Sequence, residues 1–184
     1  MPNWVENVLS ITKGDPSVVW DAIRNPDRLQ NPEFPDYDDT AFDFNRLIPM
    51  PEELHNCGSI GTMSGITDDH LYPWHITNWG TKWNACYVHF SLKPEDKDTV
   101  LVFKTAWAPP VPIFEALAEK FPEHEILIHS DEYGNHLHAT FHIKNGEVTA
   151  VRDECLCFSD SKCDDNAPMI GKEDAAFNVE EPSG

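Results

Sequence analysis

Cations are scarce in this chain. Lysine and arginine together number 13 against 32 aspartates and glutamates, giving a net charge of −19 over 184 residues. That shortage excludes the usual nucleic-acid binder, whose affinity comes from cations that release counterions from phosphates. Long apolar runs are missing too. No stretch reaches the ~18 residues that a membrane-spanning helix requires. The opening Met1-Pro2-Asn3-Trp4-Val5-Glu6 lacks the basic-then-apolar pattern of a signal peptide, so a cytoplasmic location is expected. Cysteines number five, an odd count that argues for reduced thiols. No G-x-S-x-G, Walker A, H-E-x-x-H or G-x-G-x-x-G motif occurs, and carboxylates are too abundant for any pair to mark an active site. The balance leans away from an enzyme, and no catalytic residue, cofactor or metal is assigned.

What is present is tryptophan, concentrated in one place. Three of the six tryptophans fall in Pro73-Trp74-His75-Ile76-Thr77-Asn78-Trp79-Gly80-Thr81-Lys82-Trp83. Asn78 and Gly80 suit a tight turn. Lys82 lies between Trp79 and Trp83 in sequence, which places a cation–π contact within reach, worth about 0.5–2 kcal/mol. One reading makes the segment an aromatic plug joining an insertion to a sheet. The other makes Trp74, Asn78, Trp79, Lys82 and Trp83 a recognition surface or pocket.

The length suits one domain, and 40% hydrophobic residues with 11% aromatics build a core. Val5, Leu9 and Ile11 alternate with polar residues and predict a strand. Asp15-Pro16-Ser17 reads as a helix start, and Val19, Trp20 and Ile23 share one helical side. Residues 27–80 form an insertion with too few apolar residues for its own core. Within it, Phe42–Ile48 is expected as a short strand and Asp68–His75 as a helical turn. Lys82–Leu92 and Thr99–Trp107 predict a hairpin around a charged turn. Ile113, Phe114, Leu117, Ala118 and Phe121 keep helical spacing up to Pro122. Glu125–Ser130, Leu137–Ile143 and, after Asn145-Gly146, Glu147–Arg152 complete the strands. The order βαββαβ plus a terminal hairpin is the ferredoxin-like α+β sandwich, over residues 1–152. Residues 153–184 form an acidic, polar tail, expected to be extended or disordered.

Several segments carry a family resemblance. Asn3-Trp4 with Asn7, Phe44-Asn45, Ile48-Pro49-Met50-Pro51-Glu52-Glu53-Leu54, Asn78-Trp79-Gly80-Thr81-Lys82-Trp83, Thr105-Ala106-Trp107 with Pro109-Pro110, and Tyr133-Gly134 resemble the YubB-like proteins. The resemblance spans roughly residues 3 to 145. It implies a ferredoxin-like domain of uncharacterised activity from plasmids or phages, and it transfers no catalytic residue. The tail lies outside it.

Two metal-ligand patterns are weak. His136, His138 and His142 share parity on one strand, with His89 as a further member from another, but positions 136 and 142 lie about 20 Å apart at strand rise. Cys155, Cys157 and Cys163 follow C-x-C-x5-C, which departs from structural zinc spacing. The acids cluster at 27–43, 115–132 and 153–181. They either keep a solvated surface soluble or mimic nucleic-acid phosphates toward a basic partner. The leading expectation is a phage or plasmid accessory protein that inhibits a host nucleic-acid-binding or defence protein. Asp36, Asp38, Asp39, Asp164 and Asp165 join the tryptophan segment as its contact residues. It would bind neither nucleic acid directly nor membrane. The alternative is a small-molecule or nucleotide-binding enzyme, with the tryptophans and sheet histidines lining its pocket.

Overall fold

Strand β1 (Trp4–Lys13) turns Val5, Asn7 and Leu9 into the core and Glu6, Val8 and Ser10 to the other face. The computed structural model describes residues 3–29, 35–54, 68–96, 98–132, 134 and 137–152. After β1, Gly14 at φ +102° turns the chain into α1 (Pro16–Ile23), where the Asp15 side chain accepts from the Ser17 N–H as an N-cap. β2 (Cys86–Phe90), β3 (Val100–Ala106), α3 (Val111–Lys120) and β4 (Glu125–Glu132) follow the insertion. β5 (Leu137–Lys144) and β6 (Glu147–Arg152) close the chain as a hairpin. All strand pairs are antiparallel, in the order β2-β3-β1-β4-β5-β6. The first four strands and the two helices α1 and α3 form the ferredoxin-like sandwich, and the β5–β6 hairpin extends its sheet.

One buried cluster holds the layers together. Leu9, Leu101, Phe103, Ile128, Phe141 and Ile143 from the sheet meet Val19, Trp20 and Ile23 of α1 and Ile113, Phe114 and Leu117 of α3. At its centre Asn7 is fully buried and satisfied. Its amide donates to Thr105 Oγ1 at 3.0 Å, and its carbonyl accepts from Ser130 Oγ at 2.7 Å. This polar knot ties β3, β1 and β4 in a single register.

The insertion feeds the same core instead of building another. Ala41, Phe42, Phe44 and Trp79 are all members of the cluster. The strand expected over Phe42–Ile48 does not form. Two 3₁₀ turns, Asp39–Ala41 and Phe44–Arg46, replace it, because the Asp38 and Asp43 carboxylates cap the N–H groups of Thr40 and Asn45. The helical turn expected at Asp68–His75 is a three-turn helix, α2 (Asp68–Trp79), which accommodates Pro73. β2 is shorter than the expected strand. Tyr87 sits at φ +54° and the register shifts between Cys86 and His89, so Ala85 and Val88 are both buried and strict alternation fails. The outer edge of β2 is covered, with the Asp38 N–H donating to the Val88 carbonyl at 2.7 Å.

Asp43 fastens the insertion. Its carboxylate is buried and accepts from Asn25 Nδ2 at 2.6 Å, Asn84 Nδ2 at 2.7 Å and both the backbone and side-chain amides of Asn45 at 3.0 Å. Burial by itself would raise its pKa, but these donors hold it below the usual carboxylate value. Asn84 in turn accepts from the N–H groups of Phe44 and Ala85.

Candidate functional site

The tryptophan segment splits into a buried half and a surface half. Trp79 is 2% exposed and donates its indole N–H to the Ile48 carbonyl at 2.9 Å. It lies edge-on to Phe44 and parallel to His75, whose ring centroid is 4.2 Å away. His75 is itself buried, and its Nδ1 donates to the Lys82 carbonyl at 2.8 Å. Burial, opposed by that bond, lowers its pKa. Trp74 packs on the core's edge, and Asn78 donates to the Trp74 carbonyl within the helix. Gly80 at φ +76° ends α2, where a Cβ would stand 2.7 Å from Pro112 Cδ. Thr81 then donates to the Ala106 carbonyl. Trp79 is thus part of the core, with Trp74 packed against it, while Trp74 and Asn78 remain half-buried.

Lys82 and Trp83 belong to a different assembly. The Lys82 ammonium lies over Tyr72 at 4.3 Å and over Trp83 at 5.3 Å, so the expected cation–π contact forms with Trp83, while Trp79 faces the core. On the sheet face away from the helices, rings follow one another from Trp83 to Trp4 at 5.7 Å and to Tyr87 at 5.2 Å. The series continues to Tyr37 at 5.2 Å and to His89 at 5.6 Å. Each of these rings is half-buried. The bulge at Tyr87 makes this row possible, since it turns Tyr87 toward Trp4 while Val88 enters the core. Lys104 Nζ stands 5.9 Å from the Tyr87 ring and 3.8 Å from Glu6 Oε2. Sequence inspection missed Trp4, Tyr37, Tyr72 and Tyr87 as members; the Lys104–Glu6 register and the bulge that gather them are long-range features.

The candidate acids also divide. Asp36 is exposed. Asp38 caps Thr40 and pairs with Arg24 at 3.6 Å, and Asp39 accepts from the Val88 N–H at 3.2 Å. Asp38 and Asp39 thus hold the 3₁₀ turn and the β2 edge. Asp164 and Asp165 lie outside the described residues, as do Cys155, Cys157, Cys163 and His136.

On the open sheet face Glu6 pairs with Lys104 at 3.8 Å, Glu125 lies between Lys13 and Lys144 at 3.3 and 3.2 Å, and Asp131 accepts from His138 Nδ1 at 2.7 Å, whereas Glu147 and Asp36 are exposed and form no ion pair among the described residues. Lys144 and Lys13 lower the pKa of Glu125. On the helical side, Asp21 of α1, Glu115 and Glu119 of α3 and Glu123 beyond it are exposed, and none forms an ion pair among the described residues.

The histidines do not converge. His138 and His142 point to the open face as expected, but β3, β1 and β4 separate His89 from them, about 19 Å at strand spacing. Among the described residues no group of three or more His, Cys, Asp or Glu side chains is arranged to hold a metal ion. Cys86 is half-buried, and burial pushes its thiol up to about 11, so it is protonated at neutral pH. A concavity of about 1020 Å³ opens at the opposite end of the sheet from the tryptophans, lined by Ser10, Thr12, Asp15, Ser17, Glu95 and Asp98 among others. Its three carboxylates disfavour anionic ligands. No helix among the described residues is long and apolar enough to cross a membrane.

Comparison with known proteins agrees with the fold. No curated protein matches. A crystal structure of the protein api92 from Yersinia pseudotuberculosis is similar over 60% of this chain, at 17% identity and a TM-score of 0.46. The chain spans 39% of that protein's length. The family model described as the ferredoxin-like domain in Api92-like protein matches residues 78–171. It begins inside α2 and so omits β1, although β1 pairs with both β3 and β4 in mid-sheet. With just over half its residues matched by that model, the chain belongs to the Api92-like family of proteins with a ferredoxin-like domain.

Proposed function

We propose that this protein acts by binding, as an accessory protein of a plasmid or phage that presents its acidic helical side to a basic partner in the host cytoplasm. The partner class is a nucleic-acid-binding or defence protein, which the acids would engage in place of phosphates. One observation carries the reading: Asp21, Glu115, Glu119 and Glu123 gather on the helical side, exposed and without ion pairs among the described residues, while Glu6 and Glu125 of the open face each have a lysine beside them. Net charge of −19 sets the same preference at long range. The mobile-element origin rests on the resemblance of the tryptophan and Ile48–Leu54 motifs to YubB-like proteins.

The alternative of a small-molecule or nucleotide-binding enzyme draws less support, since the tryptophans lie away from the concavity at Ser10–Ser17 and three strands stand between His89 and His138.

The test is a pull-down from host lysate at low salt, repeated at rising ionic strength. Capture should fall steeply as salt shortens the screening length toward about 8 Å. Glu115→Gln/Glu119→Gln/Glu123→Gln should slow association about tenfold. Removing residues 160–184 deletes seven acids and two lysines and should weaken capture without abolishing it. Recovery of no nucleic-acid-binding protein at low salt sinks the proposal.

A further inference from the structure

The two edges of the sheet are finished differently. At the β2 edge the Asp38 N–H donates to the Val88 carbonyl and the Val88 N–H donates to Asp39 Oδ1, so both outward backbone groups of Val88 are taken. At the other edge β6 pairs with β5 on its inner side, and no strand among the described residues pairs with its outer side. The Asn145-Gly146 turn fixes which groups are left over. Both residues lie at positive φ, +54° and +78°, as in a two-residue hairpin loop, which makes Lys144 and Glu147 its first hydrogen-bonded pair. Alternation then turns the backbone groups of Glu147, Thr149 and Val151 toward β5 and those of Val148 and Ala150 outward. Neither proline nor lysine interrupts the strand, and Val148, Thr149 and Val151 are β-branched. Such an edge is a template for one more strand.

The surroundings of that edge are acidic on both faces. On the open face Glu147 is exposed, and Lys144, its cross-strand neighbour, turns instead to Glu125 at 3.2 Å. On the helical side α3 lies along the hairpin: a Cβ at Gly146 would stand 3.6 Å from Pro122 Cβ and 3.9 Å from the Ala118 carbonyl oxygen. The opposite flank of α3 faces the insertion, where Lys120 Nζ donates to the Arg46 carbonyl at 3.3 Å. Glu115, one turn before Ala118, falls on the hairpin-facing flank, and Glu123 follows Pro122. Both are exposed and form no ion pair among the described residues. The edge therefore suits an extended segment that carries cations. A second copy of this chain would bring its own charge of −19 and the same three carboxylates to the seam.

We propose that the outer edge of β6 is a docking site for an extended, lysine- or arginine-rich segment of a protein partner, which joins the six-stranded sheet as one further strand. This rests on the binding reading above and names how a partner is held once the field has drawn it in. The outward N–H and carbonyl groups of Val148 and Ala150 supply the hydrogen bonds, and Glu147, Glu115 and Glu123 select for cations on the added strand.

An octapeptide alternating lysine with valine tests the edge on the full chain, with a glutamate–valine octapeptide as its control. In the free protein the amides of Thr149 and Val151 should exchange hydrogen slowly and those of Val148 and Ala150 quickly. The lysine peptide should slow Val148 and Ala150 by about tenfold or more, and the glutamate peptide should leave them unchanged. Ala150→Pro removes an outward N–H and spares the β5 ladder, so it should weaken the lysine peptide at least about tenfold. Glu115→Gln/Glu147→Gln should weaken it about five-fold and keep the pattern of protection. No binding of the lysine peptide at low salt, equal binding of the two peptides, or binding that leaves Val148 and Ala150 unprotected overturns the site, whether or not a variant folds. Protection of both amides in the dilute free protein overturns it by showing that the chain covers its own edge. Protection that grows with protein concentration, together with a dimer mass, overturns it in favour of a second copy. If the lysine peptide protects both amides but the lysate yields no nucleic-acid-binding protein, the edge site stands and the host-partner reading falls. If capture from lysate persists undiminished in Ala150→Pro, the edge site falls and that reading stands.

Discussion

Replacing Asp43 with asparagine should unfasten the insertion from the sheet. The side chain keeps its shape but exchanges one carboxylate oxygen for an N–H₂ group. Asp43 Oδ2 accepts from Asn25, while Oδ1 accepts from Asn84 and from both Asn45 groups. Whichever oxygen becomes nitrogen, at least one asparagine amide faces a donor with no water to replace the lost bond. Hydrogen bonds to a charged group contribute about 1.5–3 kcal/mol, and an unsatisfied buried donor costs about 1–3 kcal/mol. A loss near 3 kcal/mol follows, which for a chain of this size lowers Tm by roughly 6–12 °C. Denaturant and thermal unfolding monitored by tryptophan fluorescence would read it. Asp36→Asn, at an exposed neighbour, should stay within about 0.5 kcal/mol of wild type. The pH dependence has a definite sign. Asp43 has its folded-state pKa lowered, so its stabilisation is complete above the unfolded value near 3.8 and is lost as pH falls through the lower native value. The gap between wild type and Asp43→Asn should therefore be full at neutral pH and close in strong acid. A Tm within about 2 °C of wild type at pH 7 would refute the reasoning.

Two further outcomes test other joints. Gly80→Ala combines φ +76° with a Cβ 2.7 Å from Pro112 Cδ, and should cost about 1–3 kcal/mol in equilibrium unfolding; a neutral result would show that the α2–α3 contact yields. His75 has its pKa lowered from 6.5 by burial, so the native state excludes a proton that the unfolded chain accepts. Stability should fall as pH drops below about 6.5 and level off once the native value is passed. His75→Phe should flatten that slope, and parallel wild-type and variant curves between pH about 7.5 and 5 would contradict it.

The order and type of the main elements were legible in the sequence because their causes are local. Alternation in Val5–Ile11, the Asp15-Pro16-Ser17 start and the spacing of Ile113, Phe114 and Leu117 each depend on neighbours a few positions away. Antiparallel pairing in the βαββαβ order then followed from topology. The strand expected over Phe42–Ile48 failed because two aspartates satisfy backbone N–H groups locally, and apolar alternation does not reveal that competition. The carboxylate of Asp43 looked like one more surface acid. Only the approach of Asn25 and Asn84, 18 and 41 positions away, makes it a buried fastening. The tryptophan segment was conspicuous as composition, but its division was not. A single helical residue, Trp79, faces Phe44 and His75, whereas Trp83 lies beyond the turn at Gly80 and meets Trp4 across the open face. Net charge was fixed by composition; which acids meet a lysine was decided by strand register, which sets Lys104 opposite Glu6 and Lys13 opposite Glu125.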